Sequence, residues 1–372
     1  MALLSPIDLA GLVLVDAHCH QVTTDTLSDD AFARWCTESA YADERTLDSQ
    51  LGYAIRRWCA PVLGLPAHAP MRDYLAVRRD LGGEHAAAAL LRAAHVSAMF
   101  VDTGLPTSGL ATVDRLASLA GATASEVVRL ETLAEALVDG VEAAGYAVAL
   151  RNALDRAYSS GAVAAKSIVA YRYGLDLPPD RPTEAEVRVA AGVWMRARDA
   201  GRARLVEPVL LRHLLWCAVD AGRPVQLHTG FGDDDANLVR ADPGRLHDFC
   251  AATRTVGTPL VLLHCYPYHR NAGWLAHLYP HVYVDVGLTV EYVGARATAV
   301  LGEFLELAPF GKVMYSSDAY GLPELYLVGA AQFRHSLGRV LTGFVDDDAM
   351  RPADATAIAA AIGAGTATRL YD

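Results

Sequence analysis

The sequence lacks a basic excess, paired cysteines and any long apolar run, and each absence excludes a class of protein. Lys and Arg number 32 against 43 Asp and Glu, a formal net charge of −11. Phosphate-binding surfaces need clustered cations, so no nucleic-acid partner is expected. The six cysteines (Cys19, Cys36, Cys59, Cys217, Cys250 and Cys265) are scattered and form no C-x-x-C pair. That spacing reads as reduced thiols, not as a disulfide framework or a zinc ribbon. No uninterrupted apolar stretch approaches the roughly 20 residues that span a bilayer, so no membrane partner is expected. The opening Met-Ala-Leu-Leu-Ser-Pro-Ile-Asp has neither the positive n-region nor the cleavage site of a secretory signal. A cytoplasmic protein is the expectation. Internal repeats and low-complexity tracts are also missing.

What is present is a large core. Of 372 residues, 52% are hydrophobic and only 20% charged. Short apolar runs rich in β-branched residues recur at 12–17, 96–101, 127–130, 162–169, 224–227, 259–263, 282–286 and 312–315. They are continuous rather than alternating, which suits strands buried on both faces of a parallel sheet. Helical patterns fill the gaps, for example 183–200, 208–221, 243–253 and 295–307. Strand then helix, about eight times, is the rhythm of a (β/α)8 TIM barrel. A doubly wound sheet is the runner-up, but no G-x-G-x-x-G follows the first run and no G-x-x-x-x-G-K-[ST] occurs. The chain is therefore expected to be a single barrel over 1–372, with a helical insertion at 25–91 after strand one. Trp35, Tyr53, Trp58 and Tyr74 give that insertion the aromatic mass for a small packed subdomain.

The chemistry-bearing residues cluster at the C-terminal ends of the apolar runs. His18 and His20, in Asp16-Ala17-His18-Cys19-His20, are two apart, so on a strand both side chains face the same way and can grip one ion. His228 and His264 each follow an apolar run, and Asp318 follows the last one. In a parallel barrel all these strand ends open on one mouth, so three runs' imidazoles and one carboxylate are expected to meet there. Such a set leaves an open position for water and lowers its pKa towards about 7. Asp318 is then placed to move the proton. His264 either joins a second metal or donates to the developing oxyanion.

These residues resemble the amidohydrolase superfamily, with D-x-H-x-H on strand one, His on strands five and six and Asp on strand eight. The stretch Ala165-Lys166-Ser167-Ile168-Val169-Ala170-Tyr171-Arg172-Tyr173-Gly174-Leu175 is similar to the amidohydrolase family 2 branch. So is His264-Cys265-Tyr266-Pro267 followed by Ala272-Gly273-Trp274-Leu275-Ala276. That branch includes the hydrolase-like half of glutamine synthetase fusion proteins, whose synthetase half is not found in this sequence. The resemblance implies a metal-dependent hydrolase that cleaves a C–N, amide-like bond in a small, carboxylated substrate. It implies His18, His20, His228 and Asp318 as metal ligands, with Asp318 and His264 catalytic. His264 and Lys166 join the ligands if the centre is binuclear, with Lys166 carbamylated; in mononuclear members the lysine is not a ligand, and a buried ion pair or substrate contact is the preferred reading of Lys166. Zinc, manganese and iron all suit the imidazole-rich set, zinc foremost.

Tyr171 and Arg172 should face the mouth as substrate contacts, with Arg172 offering a planar fork to a carboxylate; a salt bridge to a loop acid is the equal alternative. Arg129, Glu131 and the loop Gly230–Asp235 read as structural. The rival chemistry is metal-dependent decarboxylation on nearly the same ligands. A non-catalytic binding barrel is the rival class, which the intact His18, His20, His228 and Asp318 speak against. A homodimer is the base-rate expectation.

Overall fold

The computed structural model describes residues 7–43, 45–105, 109–199 and 204–372. Eight strands follow one another in a single sheet whose spatial order is the chain order: β1 (Leu14–Cys19), β2 (Val96–Asp102), β3 (Thr123–Arg129), β4 (Ala164–Ser167), β5 (Val225–Thr229), β6 (Leu260–His264), β7 (Val282–Asp285) and β8 (Val313–Met314). Neighbouring strands pair in parallel, and helices fill the connections. After β8 the chain returns to β1, where Ala17 N donates to Tyr315 O at 3.1 Å. This is the (β/α)8 barrel expected from the sequence. Every residue of β1, β4, β5 and β6 is buried, as the continuous apolar runs require.

Strand ends differ from the sequence expectation by a few residues, for physical reasons. The run at 12–17 starts late because the Leu12 carbonyl is taken by Arg334 Nε and Nη2 at 3.0 and 2.9 Å instead of a ladder. The expected helix 243–253 opens as a 3-10 turn, Pro243–Leu246, with Asp242 capping Gly244 N at 2.8 Å. The last residue expected in the helix 183–200 lies outside the described residues.

The chain packs as two compact units. One comprises Met1–Val101, Leu105–Ala124 and Asp285–Arg369; the other comprises Asp102–Gly104, Ser125–Val284 and Leu370–Asp372. The helical insertion lies in the first unit and has four helices, α1 (Asp29–Arg34), α2 (Gln50–Val62), α3 (Met71–Leu81) and α4 (Gly83–Ala93). Ser28 and Ser49 cap α1 and α2 by accepting from Ala31 N and Gly52 N. Leu51, Ala54, Ile55 and Cys59 form the buried stripe of α2 at helical spacing. α2 and α4 pack on the long helix Pro323–Asp346 that follows β8.

Aromatics of the insertion pack on one another, Phe32 edge-on to Tyr74 at 6.3 Å, and also reach that helix and its lead-in. Trp35 meets Tyr320 edge-on and Trp58 Nε1 donates to Gln332 Oε1 at 3.3 Å, while Tyr53 is exposed. The strongest tie is ionic. Arg78 is 2% exposed and donates from Nε to Glu324 Oε1 at 2.5 Å, with Tyr74 OH on the same oxygen at 2.8 Å. Glu324 itself is fully buried. A buried charge stripped of its partner is expensive, so Arg78→Met should cost about 3–5 kcal/mol in denaturant unfolding. The double variant Arg78→Met/Glu324→Leu should recover most of that loss.

Candidate metal centre

The first unit contributes the end of β1 and the turn after β8. Asp16 is fully buried, and its carboxylate accepts from Ser317 Oγ at 2.5 Å, Ser317 N at 2.9 Å and His18 N at 3.4 Å. The backbone continues the clasp, with Asp318 N donating to His18 O at 2.9 Å and His20 N to Ala319 O at 2.8 Å. Asp318 takes a left-handed conformation at φ 50°. Asp tolerates that region better than most residues, yet it still costs on the order of 1 kcal/mol and persists only where neighbours over-determine it. The result is convergence. His18 Nε2 lies 3.0 Å and His20 Nε2 3.2 Å from the same atom, Asp318 Oδ1. The two imidazoles meet edge-on, 5.0 Å between centroids.

Two imidazole nitrogens aimed at one carboxylate oxygen, all buried, form a donor set that fits a divalent ion such as zinc, manganese or iron. His18 and Asp318 both belong to groups of side chains close enough to share an ion. The surroundings are acidic. Burial pushes Asp16 up to about 7 against the pull of its Ser317 hydrogen bonds. Burial likewise raises Glu291 well above the usual carboxylate range, with Asp16, Asp318 and Asp285 adding negative charge. Neither Glu291 oxygen has a hydrogen-bond partner among the described residues. Asp285 accepts from Ser316 Oγ at 2.7 Å.

The second unit gathers His228 from β5, His264 from β6 and Tyr171 from the one-turn helix Val169–Arg172 that follows β4. The two imidazole rings lie 4.6 Å apart. Tyr171 covers His228 at 4.3 Å, with its hydroxyl 3.3 Å from Nδ1. His264 and Cys265 are both left-handed, at φ 66° and 65°, and the Tyr266–Pro267 peptide is cis. The loop after β5 is laid on this turn: Phe231 N donates to Tyr266 O at 2.6 Å and Gly230 N to Ala241 O at 2.7 Å. Gly230 is needed there, since a Cβ would stand 2.3 Å from Tyr266 O.

The remaining expected residues have plain placements. Arg172 Nη1 pairs with Glu135 Oε1 at 3.1 Å, while its buried Nε has no hydrogen-bond partner among the described residues. Lys166 is 2% exposed on β4, in register between Arg129 on β3 and Gln226 on β5. Arg129 grips Asp102 at 2.7 and 3.0 Å, and Glu131 Oε1 accepts from Ser167 Oγ and Ile168 N. Asp235 in the acidic loop is held by Arg204 at 2.7 Å. The thiols of Cys19 and Cys265 donate to the carbonyls of Phe100 and Leu262, turned away from nucleophilic roles. His269 stacks on Tyr266 at 5.8 Å. Asp102 and Asp285 were not singled out from the sequence, although Asp102 directly follows the run 96–101 and Asp285 lies within the run 282–286. Ser317 and Glu291 carried no comparable signal.

With this geometry in hand, the comparisons with known proteins are specific. The amidohydrolase family model matches residues 15–372. A solved structure from Lactobacillus casei ATCC 334, provisionally named a metal-dependent hydrolase, is 29% identical with a TM-score of 0.86, covering 99% of this chain and 98% of that one. Uronate isomerase from Thermotoga maritima shares the fold at 15% identity and a TM-score of 0.61, covering 98% of this chain and 95% of its own. Among curated proteins, Protein fluG of Emericella nidulans is 36% identical over 219 residues, which are 56% of this chain and 25% of that protein. The chain thus spans only a quarter of fluG's length. The chain belongs to the amidohydrolase family.

Proposed function

We propose that the chain is a metal-dependent amidohydrolase acting on a C–N, amide-like bond of a small, carboxylated molecule, with zinc as the metal. The observation that carries this reading is the convergence of His18 Nε2 and His20 Nε2 on Asp318 Oδ1 at 3.0 and 3.2 Å. In this reading His18, His20, His228 and Asp318 hold the ion, and His264 with Lys166 would complete a binuclear version. A bound divalent ion supplies Lewis acidity and brings the pKa of a water towards about 7.

The protein's own groups do the rest. Asp318, whose Oδ1 faces the two imidazoles, takes the proton of the attacking water and delivers it to the leaving nitrogen. His264, fixed on its left-handed turn, donates to the carbonyl oxygen as negative charge builds there. Arg172 is our candidate for the substrate carboxylate: its Nε is a buried donor still to be satisfied, beside the Glu135 pair. The six buried cysteines, none in a disulfide among the described residues, suit the cytoplasm proposed for it. Among the described residues no helix is long and apolar enough to cross a membrane.

His18→Ala should strip metal and activity together while the thermal transition of the metal-free protein stays within a few degrees. Asp318→Asn should fold normally and lower kcat by about 100- to 10,000-fold, the usual worth of a positioned general base. Full activity in that variant removes Asp318 from proton transfer. A panel of N-acyl and related carboxylated substrates should release ammonia or an amine. Release of CO2 without an amine would replace hydrolysis by decarboxylation.

A further inference from the structure

Tyr171 is the residue whose placement says most beyond this reading. Its ring lies 4.3 Å from that of His228, tilted by 45°, and its hydroxyl oxygen is 3.3 Å from Nδ1. A second neighbour of the same imidazole is His264, at 4.6 Å. His228 thus has two ring neighbours, with Nδ1 within reach of a phenol. The third wall is backbone. Gly232 comes so close that a Cβ there would stand 2.0 Å from the Tyr171 hydroxyl oxygen and 2.9 Å from His228 Nε2. Gly232 is therefore required by close approach, and its loop is fastened at Gly230 and Phe231 by the hydrogen bonds to Ala241 and Tyr266. Tyr171 is in turn roofed by Arg204 Nη2 on its own carbonyl at 3.5 Å, and Arg204 holds Asp235 of the same loop.

A neutral imidazole carries one N–H, and a metal needs the lone pair of the other nitrogen. Ligating histidines accordingly give their remaining N–H to a fixed acceptor, which sets tautomer and ring orientation. We propose that Tyr171 is the positioning residue of His228: its phenol oxygen accepts from Nδ1–H, leaving Nε2 to present its lone pair to the ion, while Gly232 leaves the space the phenol occupies. This rests on His228 being a metal ligand, as proposed above. It assigns Tyr171 to the imidazole in place of the substrate contact expected from the sequence.

The test is zinc affinity of the metal-free protein, measured in competition with a chromophoric chelator, for wild type, Tyr171→Phe and Gly232→Ala. Thermal unfolding of each metal-free protein serves as the folding control. Tyr171→Phe should bind zinc about 10- to 100-fold more weakly at an unchanged transition temperature, the usual loss when an outer partner of a ligating histidine is removed. Gly232→Ala should weaken zinc in the same direction, because its methyl strikes both the phenol oxygen and His228 Nε2. Since the methyl also stands 2.9 Å from His228 Nε2, Gly232→Ala is the control for obstruction at that nitrogen, and Tyr171→Phe carries the test of the phenol. If Tyr171→Phe unfolds, Tyr171→Leu, which removes the same oxygen, takes its place, and the same loss of zinc affinity is required of it. Wild-type zinc affinity in Tyr171→Phe overturns the inference, as does a raised KM with metal binding intact. Failure of the wild-type protein itself to bind zinc would instead overturn the metal reading on which the inference stands.

Discussion

The carboxylate of Asp16 is the constraint from which the donor set of the first unit follows. Buried at the heart of β1, it accepts both the amide and the hydroxyl of Ser317 and the amide of His18. One side chain therefore fixes the end of β8 against the end of β1. Ser317 passes the constraint on, since its carbonyl receives Leu288 N at 3.0 Å in the turn after β7. Asp318, the next residue, has nowhere to go but the left-handed region, which swings Oδ1 onto both imidazoles. The helix that follows begins two residues before Glu324's neighbour Leu325, and Glu324 is where Arg78 and Tyr74 tie the insertion down. The insertion is thereby a brace on the segment that carries Asp318, and not a separate cap.

The same device recurs in the second unit with different residues. His264 and Cys265 are left-handed, as Asp318 is, and each such residue stores on the order of 1–3 kcal/mol that the surroundings must offset. The offset comes from the loop after β5, whose amides bind the Tyr266 and Ala241 carbonyls. Strain at His264 and Asp318, which carry proposed ligand atoms, is what pre-organisation requires: such donors are held in place before anything binds. Electrostatics favours a cation in the first unit. Asp16 and Glu291 are buried with their carboxyls raised, and Asp285 and Asp318 lie in the same unit. A positive ion among them would relieve the cost of burial that raises them.

Much of this was legible in the sequence because parallel strands are buried on both faces and so read as plain apolar runs. Such a run points at its own C-terminal residue, which is how His228, His264 and Asp318 stand out, and the two-residue spacing of His18 and His20 follows from strand geometry. Asp102 follows a run as well, so the same logic extends to it, whereas Asp285 ends β7 but sits one residue inside its run. What sequence could not supply is the set of partners. Nothing local says that Arg172 meets Glu135, that Arg78 crosses to Glu324, or that Tyr171 lies over His228, because each pair is joined only by the fold. The left-handed turns were equally silent, since His, Cys and Asp advertise no positive φ as glycine does.

The central claim is that His18, His20 and Asp318 form a metal centre, and X-ray absorption on protein purified without chelator tests it most directly. The account predicts a stoichiometric first-row divalent metal with imidazole nitrogen and carboxylate oxygen ligands at about 2.0–2.2 Å. A folded protein that takes up no zinc, manganese or iron even when each is offered in excess would contradict it.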